Sequence, residues 1–394
     1  MDRRKFITLV GGGVIAVAAG YIIYQNFLGG APPRERKLSL YSWEEEIFFD
    51  PPINYEGKEY DNIVDLFKQF YPDIELSTSY YGDQDKMTAD LLAGKKVDVI
   101  APCVDYIPVL YENELLEEID TGMMENWGKM FSVLKDVTGV KIDGKVVFIP
   151  TNYGTEAINY RKDLFDQNGL DYPQSWLDFF QPWNLGFDKL DNKKRILMPD
   201  DYKIGIAMAA LALGYNLDSN NDGMWELTDE QLQNCKELLI EQKPYVLRYS
   251  EEVDSDMPNL MANGDIFMSL GWAPETLELQ DEGYDVVYLL PEEGPLVFLC
   301  GNAIVKGTEN YEDAVKLVDF YAGPIIQRYF AEEYWYGISN EEVVNQLKED
   351  DPDLVESLLL DKPLEALGKG HFEYPFAEGQ EELWSQVWEE VLSA

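Results

Sequence analysis

The feature that most constrains this fold is the alternation, from residue 38 onward, of short β-rich runs with segments that are apolar at helical spacing. Residues 37–43 end a strand candidate in a loop. Ile63, Leu66, Phe67 and Phe70 then recur on one helical face, with Asp61 or Asn62 available as N-cap. Residues 74–81 have strand character, and Met87, Leu91 and Leu92 mark a second helix that stops near Gly94. Residues 97–101 form a mostly apolar run, as in a strand covered on both faces. Strand–helix–strand units in series predict an α/β fold with a parallel sheet and right-handed crossovers. Residues 149–154, Ile149-Pro150-Thr151-Asn152-Tyr153-Gly154, read as a linker into a second set of elements. That set has strands at 157–160, 266–271 and 285–290 and a helix over 202–213. A strand at 302–305, a helix through Ala314, Leu317, Val318 and Tyr321, and an acidic amphipathic helix over 381–392 follow. No internal repeat or low-complexity tract interrupts the pattern. The 394 residues suffice for two lobes, each with its own core.

Residues 1–37 do not belong to this pattern. Arg3, Arg4 and Lys5 precede an uncharged run over 6–28, which as a helix would rise roughly 35 Å, enough to cross a bilayer. The basic cluster predicts an N-inside orientation. Arg-Arg-x-Phe-Ile resembles a twin-arginine export signal. Ala16-Val17-Ala18 offers a cleavage site, but Tyr21-Ile22-Ile23-Tyr24 continues the apolar run past it, so a membrane anchor is expected. Residues 31–37, Ala-Pro-Pro-Arg-Glu-Arg-Lys, read as a stiff tether.

The chain carries 74 acidic against 31 basic residues, a net charge of −43. Such a surface repels phosphate backbones, so nucleic acid is excluded as a partner, and it attracts cations. A solvated, highly soluble face explains the charge equally well. His371 is the only histidine and no nucleophile motif accompanies it, which argues against an enzyme. Paired acidic residues of the hydrolase type are plentiful by composition alone and point to nothing. Cys103, Cys235 and Cys300 show no metal-ligand spacing, and an odd count excludes a complete disulfide framework.

Five stretches in order carry a family resemblance. They are Leu40-Tyr41-Ser42-Trp43, Asp98-Val99-Ile100-Ala101-Pro102, Ile149-Pro150 through Ala157-Ile158, Asp200-Asp201 with Leu213-Gly214-Tyr215, and Gly264-Asp265 through Gly271-Trp272. Together they make the chain resemble the spermidine/putrescine-binding proteins of ABC importers. That resemblance implies a two-lobed periplasmic-binding-protein-like fold with crossover hinge strands, here preceded by the N-terminal membrane helix. The lobes would be residues 38–150 with 301–340, and 151–300 with 341–394. It further implies an extracytoplasmic, monomeric body that binds a polyamine between the lobes, needs no cofactor and delivers its ligand to an ABC permease. The same fold could serve another organic cation, a thiamine-like compound or a metal complex.

A polyamine presents ammonium groups on a methylene stem, so its site needs carboxylates and aromatic faces. On the resemblance, Trp43, Trp272 and Tyr336 match the family's aromatic walls, Phe298 stands where another is expected, and Asp201 matches a ligand carboxylate. As residues, Trp43 could equally be a packing side chain at a loop corner, and Asp201 an N-cap for the helix near Tyr202. Ile204 and Cys300 replace two family carboxylates, while Glu46 and Asp105 replace aromatic positions and return negative charge. Glu156 and Glu275 lie close in sequence to lining segments. Cys103 and Cys300 would fall near the cleft, where two buried thiols are expected.

Asp218, Asn220, Asp222 and Asp229 have the spacing of a calcium loop, D-x-N-x-D-G with an acid at the twelfth place, and make calcium the one candidate structural ion. The usual glutamate is absent there, and Thr228 with Gln231 forms a capping pair, so a polar turn before a helix fits the same residues.

Overall fold

The computed structural model describes residues 36–220, 222–250, 253–358, 360, 367 and 369–394. The predicted membrane helix and tether up to residue 35 lie outside the described residues. Among those described, no helix is long and apolar enough to cross a membrane.

Two three-stranded parallel arrays form the centres of two lobes. In the first, Arg36–Ser42 lies between Ile74–Tyr80 and Val99–Ile100, so that Leu40 faces Thr78 on one side and Val99 on the other. Alternation along Arg36–Ser42 sends Leu38 and Leu40 to one face and Tyr41 to the other. Ile63, Leu66 and Phe67 cover the first face, and Met87, Leu91 and Ile107 the second. Asn62 caps the helix Ile63–Phe70 by accepting from the Asp65 amide at 2.8 Å. In the second lobe Val246–Ser250, Ile196–Pro199 and Met268–Gly271 run parallel. Its core gathers Trp176, Phe179, Phe180, Phe187, Met268 and Trp384.

Two long strands join the lobes. Ile149–Arg161 spans 13 residues and runs straight through the predicted linker, because its backbone finds partners along its whole length. Its first part pairs antiparallel with Leu296–Ile304, placing Phe298 opposite Gly154 and Cys300 opposite Asn152. Its last part lies between Met268–Gly271 and Val286–Leu289, also antiparallel. Leu296–Ile304 in turn reaches the first lobe's sheet through Ala303 and Ile304. The sheet is thus parallel within each lobe, as expected, and antiparallel along the crossover strands. Gly301 marks a register shift, and a Cβ there would collide with the backbone at Ile149 and Pro150.

The capping box at Thr228 and Gln231 opens the helix Asp229–Gln242 as predicted. The helix Gln380–Ser393 packs Trp384, Trp388 and Val391 into the second lobe. The helix Glu341–Asp350 buries Val343, Val344 and Leu347 in the first lobe's core, with Val355 and Leu360 beside them. Its apolar stripe thus packs against the side chains around Leu38 and Leu40.

Candidate functional site

The paired crossover strands form the floor of a cleft. Side chains alternate along Ile149–Arg161, so Asn152, Gly154 and Glu156 share one face. Gly154 is required here, since the Phe298 ring lies where its Cβ would stand. On the first-lobe side the floor opens into a cavity of about 160 Å³ lined by Trp43, Glu45, Glu46, Phe298, Tyr334 and Tyr336, with Asn152, Cys300 and Phe330 behind them.

Each wall is set by its neighbours. Trp43 leaves the strand Arg36–Ser42 and meets Tyr81 edge-on at 4.7 Å. The one-turn helix Glu44–Ile47 follows, and its carbonyls at Glu45 and Glu46 accept from Tyr334 Oη and Tyr321 Oη, each at 3.0 Å. Tyr336 stands 5.9 Å from Phe298 in a T-shaped pair and 5.9 Å from Tyr334. Trp335 between the tyrosines takes φ 54°, a left-handed conformation that costs a non-glycine residue about 1–2 kcal/mol.

Glu46 is buried, accepts from Ser42 Oγ at 2.5 Å, and has its pKa pushed up to about 8, chiefly by desolvation. Glu156 is 5% exposed, and burial together with the charges of Glu373 and Asp201 holds it well above the ordinary carboxylate range. A hydrogen bond from Trp272 works the other way, yet Glu156 Oε2 has no partner. A buried, unpaired carboxyl oxygen costs free energy that a cationic donor would recover.

Of the residues expected from sequence, Trp43, Glu46, Phe298 and Tyr336 line the cavity. Trp272 is half-buried at the N-cap of the helix Ala273–Asp281 and reaches Glu156. Asp201 is exposed and caps Tyr202–Ala212, accepting from the Ile204 amide at 3.0 Å. Asp105 lies outside the cavity: it is buried and pairs with Lys203 across the lobes at 3.1 Å. Sequence reading missed Glu45, Asn152, Phe330, Lys203 and Glu373. It missed Tyr334 as well, and nothing in the sequence ties the helix Pro324–Glu333 or the segment around Glu373 to Trp43.

Cys103 and Cys300 are joined in a disulfide across 197 residues, where two separate thiols were expected. They meet because Cys103, three residues past the strand Val99–Ile100, bridges the crossover strand directly at Cys300. Cys235 remains free and buried.

The candidate calcium loop makes hydrogen bonds of its own. Asp218 accepts from the amides of Asp222 and Gly223 at 2.9 and 3.2 Å, Asn220 donates to Glu226, and Asp229 begins a helix. Among the described residues no group of three or more His, Cys, Asp or Glu side chains could hold a metal ion.

Comparison with known proteins agrees with this architecture. Residues 62–356 match the bacterial extracellular solute-binding protein family, about three-quarters of the chain, and the chain belongs to that family. Its business is binding, not catalysis. The putrescine-binding periplasmic protein SpuD of Pseudomonas aeruginosa is 26% identical over 309 residues, covering 73% of this chain and 74% of the relative. The spermidine/putrescine-binding periplasmic protein of Salmonella typhimurium is 24% identical, with 77% of each chain covered. Among solved structures, the spermidine/putrescine substrate-binding protein PotD of Streptococcus pneumoniae, in complex with calcium and HEPES, superposes with a TM-score of 0.71 at 17% identity, covering 91% of this chain and 99% of that one. The substrate-binding protein Lmo0181 of Listeria monocytogenes, in complex with cycloalternan, reaches 0.67 at 16% identity over 91% and 94%. At such identities these structures show the shared fold alone.

Proposed function

We propose that this bacterial extracellular solute-binding protein captures a polyamine of the putrescine/spermidine class between its lobes and delivers it to the permease of an ABC importer. The observation that carries the reading is the buried Glu46 carboxyl set among Trp43, Phe298, Tyr334 and Tyr336. A carboxyl among aromatic faces suits an ammonium on an apolar stem: each desolvated cation–π contact contributes about 2 kcal/mol, and the ion pair adds to it. Sequence relatives that bind putrescine or spermidine support the same ligand class. Trp43, Glu46, Phe298 and Tyr336 would hold one ammonium, and Glu156 and Asp201 would face the second from the other lobe, with Trp272 against the stem. Closure on ligand then gives the permease a loaded form to recognise. In this reading residues 38–150 with 301–360 form one lobe. Residues 151–300 and the C-terminal stretch form the other, the body acts as a monomer, and residues 1–37 export and anchor it outside the cytoplasmic membrane.

The test is the melting temperature of the full-length protein with putrescine, spermidine, thiamine, ferric ion and calcium added singly. A ligand that binds only the folded state raises the melting temperature with concentration. A rise with a polyamine, abolished in Trp43→Ala, supports the proposal. A rise with thiamine or ferric ion and none with either polyamine overturns it.

A further inference from the structure

The Cys103–Cys300 disulfide has one end in the ligand cavity and the other beside a contact between the lobes. Cys300 lines the cavity together with Phe298, two residues back on the crossover strand Leu296–Ile304. Cys103 opens the single turn Val104–Tyr106, and that turn carries Asp105. Asp105 pairs with Lys203 of the other lobe at 3.1 Å, both side chains largely withdrawn from water. One covalent bond therefore joins a wall of the cavity to an ion pair between the lobes.

Other contacts keep both ends folded without the bond. Cys300 lies opposite Asn152 in the paired strands, and its carbonyl accepts from Thr151 Oγ1 at 3.4 Å. At the turn, the Cys103 amide donates to Gln84 Oε1 at 2.6 Å, and Tyr106 Oη donates to Asp85 at 2.9 Å. Val104 is buried in the core beneath them. Two thiols need more room than one S–S bond, so breaking it moves the turn, the strand or both. Either movement reaches the site. A shift at Cys300 reshapes the cavity wall, and a shift at Cys103 carries Asp105 away from Lys203.

We infer that the Cys103–Cys300 bond is a redox switch on the ligand site, the oxidised protein binding tightly and the reduced, folded protein weakly. The inference rests on the polyamine reading above for the identity of the ligand. Each cysteine is 8% exposed, and Cys300 meets the cavity, which gives a small dithiol a route to the bond. One thiolate of the dithiol attacks a sulfur of the bond, and its second thiol then closes on the mixed disulfide. The dithiol ends as a disulfide, while Cys103 and Cys300 take its two electrons and two protons and become thiols.

Equilibrium dialysis of putrescine and spermidine against the full-length protein, oxidised and after reduction by dithiothreitol, tests this, with circular dichroism following the fold. Reduction should weaken binding by about tenfold or more. Linkage requires the ligand in turn to make the bond harder to reduce by the same factor, about 30 mV for each tenfold. That shift is read by alkylation in mixtures of reduced and oxidised dithiothreitol. Cys235 is buried and its thiol is pushed up to about 12, so alkylation of the folded protein reports the other two cysteines. Equal affinity in the two states overturns the inference, as does a midpoint that the ligand leaves unmoved. Unfolding on reduction overturns it too, since the bond would then be a structural staple. A Cys103→Ser, Cys300→Ser protein whose affinity still responds to dithiothreitol would place the effect elsewhere and overturn it as well. In each of these cases polyamine binding to the oxidised protein leaves the functional reading standing, whereas binding of neither polyamine to that form overturns both.

Discussion

At the scale of single residues, Glu46 gives the site a measurable signature. Its carboxyl is raised from 4.5 to about 8 by burial, and the neighbouring Glu45 charge acts in the same direction while Ser42 opposes it. Below about pH 4.5 the group is neutral folded or unfolded, and its contribution to stability is whole. Between that value and about 8 the folded protein keeps a proton that the unfolded chain has released, so stability from this group falls as pH rises through the window. An ammonium needs the ionised form. Ligand uptake near neutral pH should therefore release a proton, and affinity should climb from about pH 6 to about pH 8. Calorimetry in buffers of different ionisation enthalpy reads that release, and Glu46→Gln should abolish it while costing about 2 kcal/mol or more of affinity. Gly154 offers a test that leaves charge alone. Gly154→Val drives Phe298 from its seat into the cavity, and ligand-induced melting shifts should disappear while the variant still folds, at an overpacking cost of about 1–3 kcal/mol. Trp43, Phe298 and Tyr336 were legible in the sequence because family motifs bracket them. Lys203 was not, because a lysine near a helix start carries no mark of the partners it meets from the other lobe.

Elements show where periodicity suffices and where it does not. Asn62 and the Thr228–Gln231 pair start helices as their sequences direct, since a cap satisfies amides within four residues and asks nothing of the distant chain. The segment from Ile149 looks like a linker because Pro150, Asn152 and Gly154 are poor strand formers. It is a strand because Leu296–Ile304 and Gly337–Ile338 pair with it. The disulfide is a consequence of the same pairing: only when the loop after Val99–Ile100 lies on the crossover strand do Cys103 and Cys300 meet. It ties that loop to the hinge over a closed loop of 197 residues. A Cys103→Ser, Cys300→Ser protein, or mild reduction of the wild type, should lose about 2–4 kcal/mol of stability, read as a lower denaturant midpoint. An unchanged midpoint would mean that the bond constrains nothing that unfolding releases.

For the whole molecule the governing quantities are its charge and its two-lobed closure. A net charge of −43 makes the compact state repel itself and draws cations toward the cleft. Added sodium chloride should thus raise the melting temperature of the empty protein while slowing association with a cationic ligand, measurable by scanning calorimetry and stopped-flow fluorescence of the cleft tryptophans. A flat association rate across salt would show that the charge serves solubility alone. The lobes touch away from the crossover strands as well, through Asp105–Lys203. Opening the cleft must break this ion pair along with whatever the ligand makes.

The amino-acid sequence by itself determined the α/β class, the start and stop of several helices and four of the cavity-lining side chains. Each depends on short-range spacing or on motifs that survive in order along the chain. Tertiary structure alone decided that Val343, Val344 and Leu347 pack into the core around Leu38 and Leu40, that Cys103 and Cys300 bond, and that Asp105 serves Lys203 rather than the open cavity. Those outcomes depend on which surfaces face one another once the crossover strands have paired. Hydrophobic burial and charge pairing act on that proximity in space, and distance along the chain does not encode it.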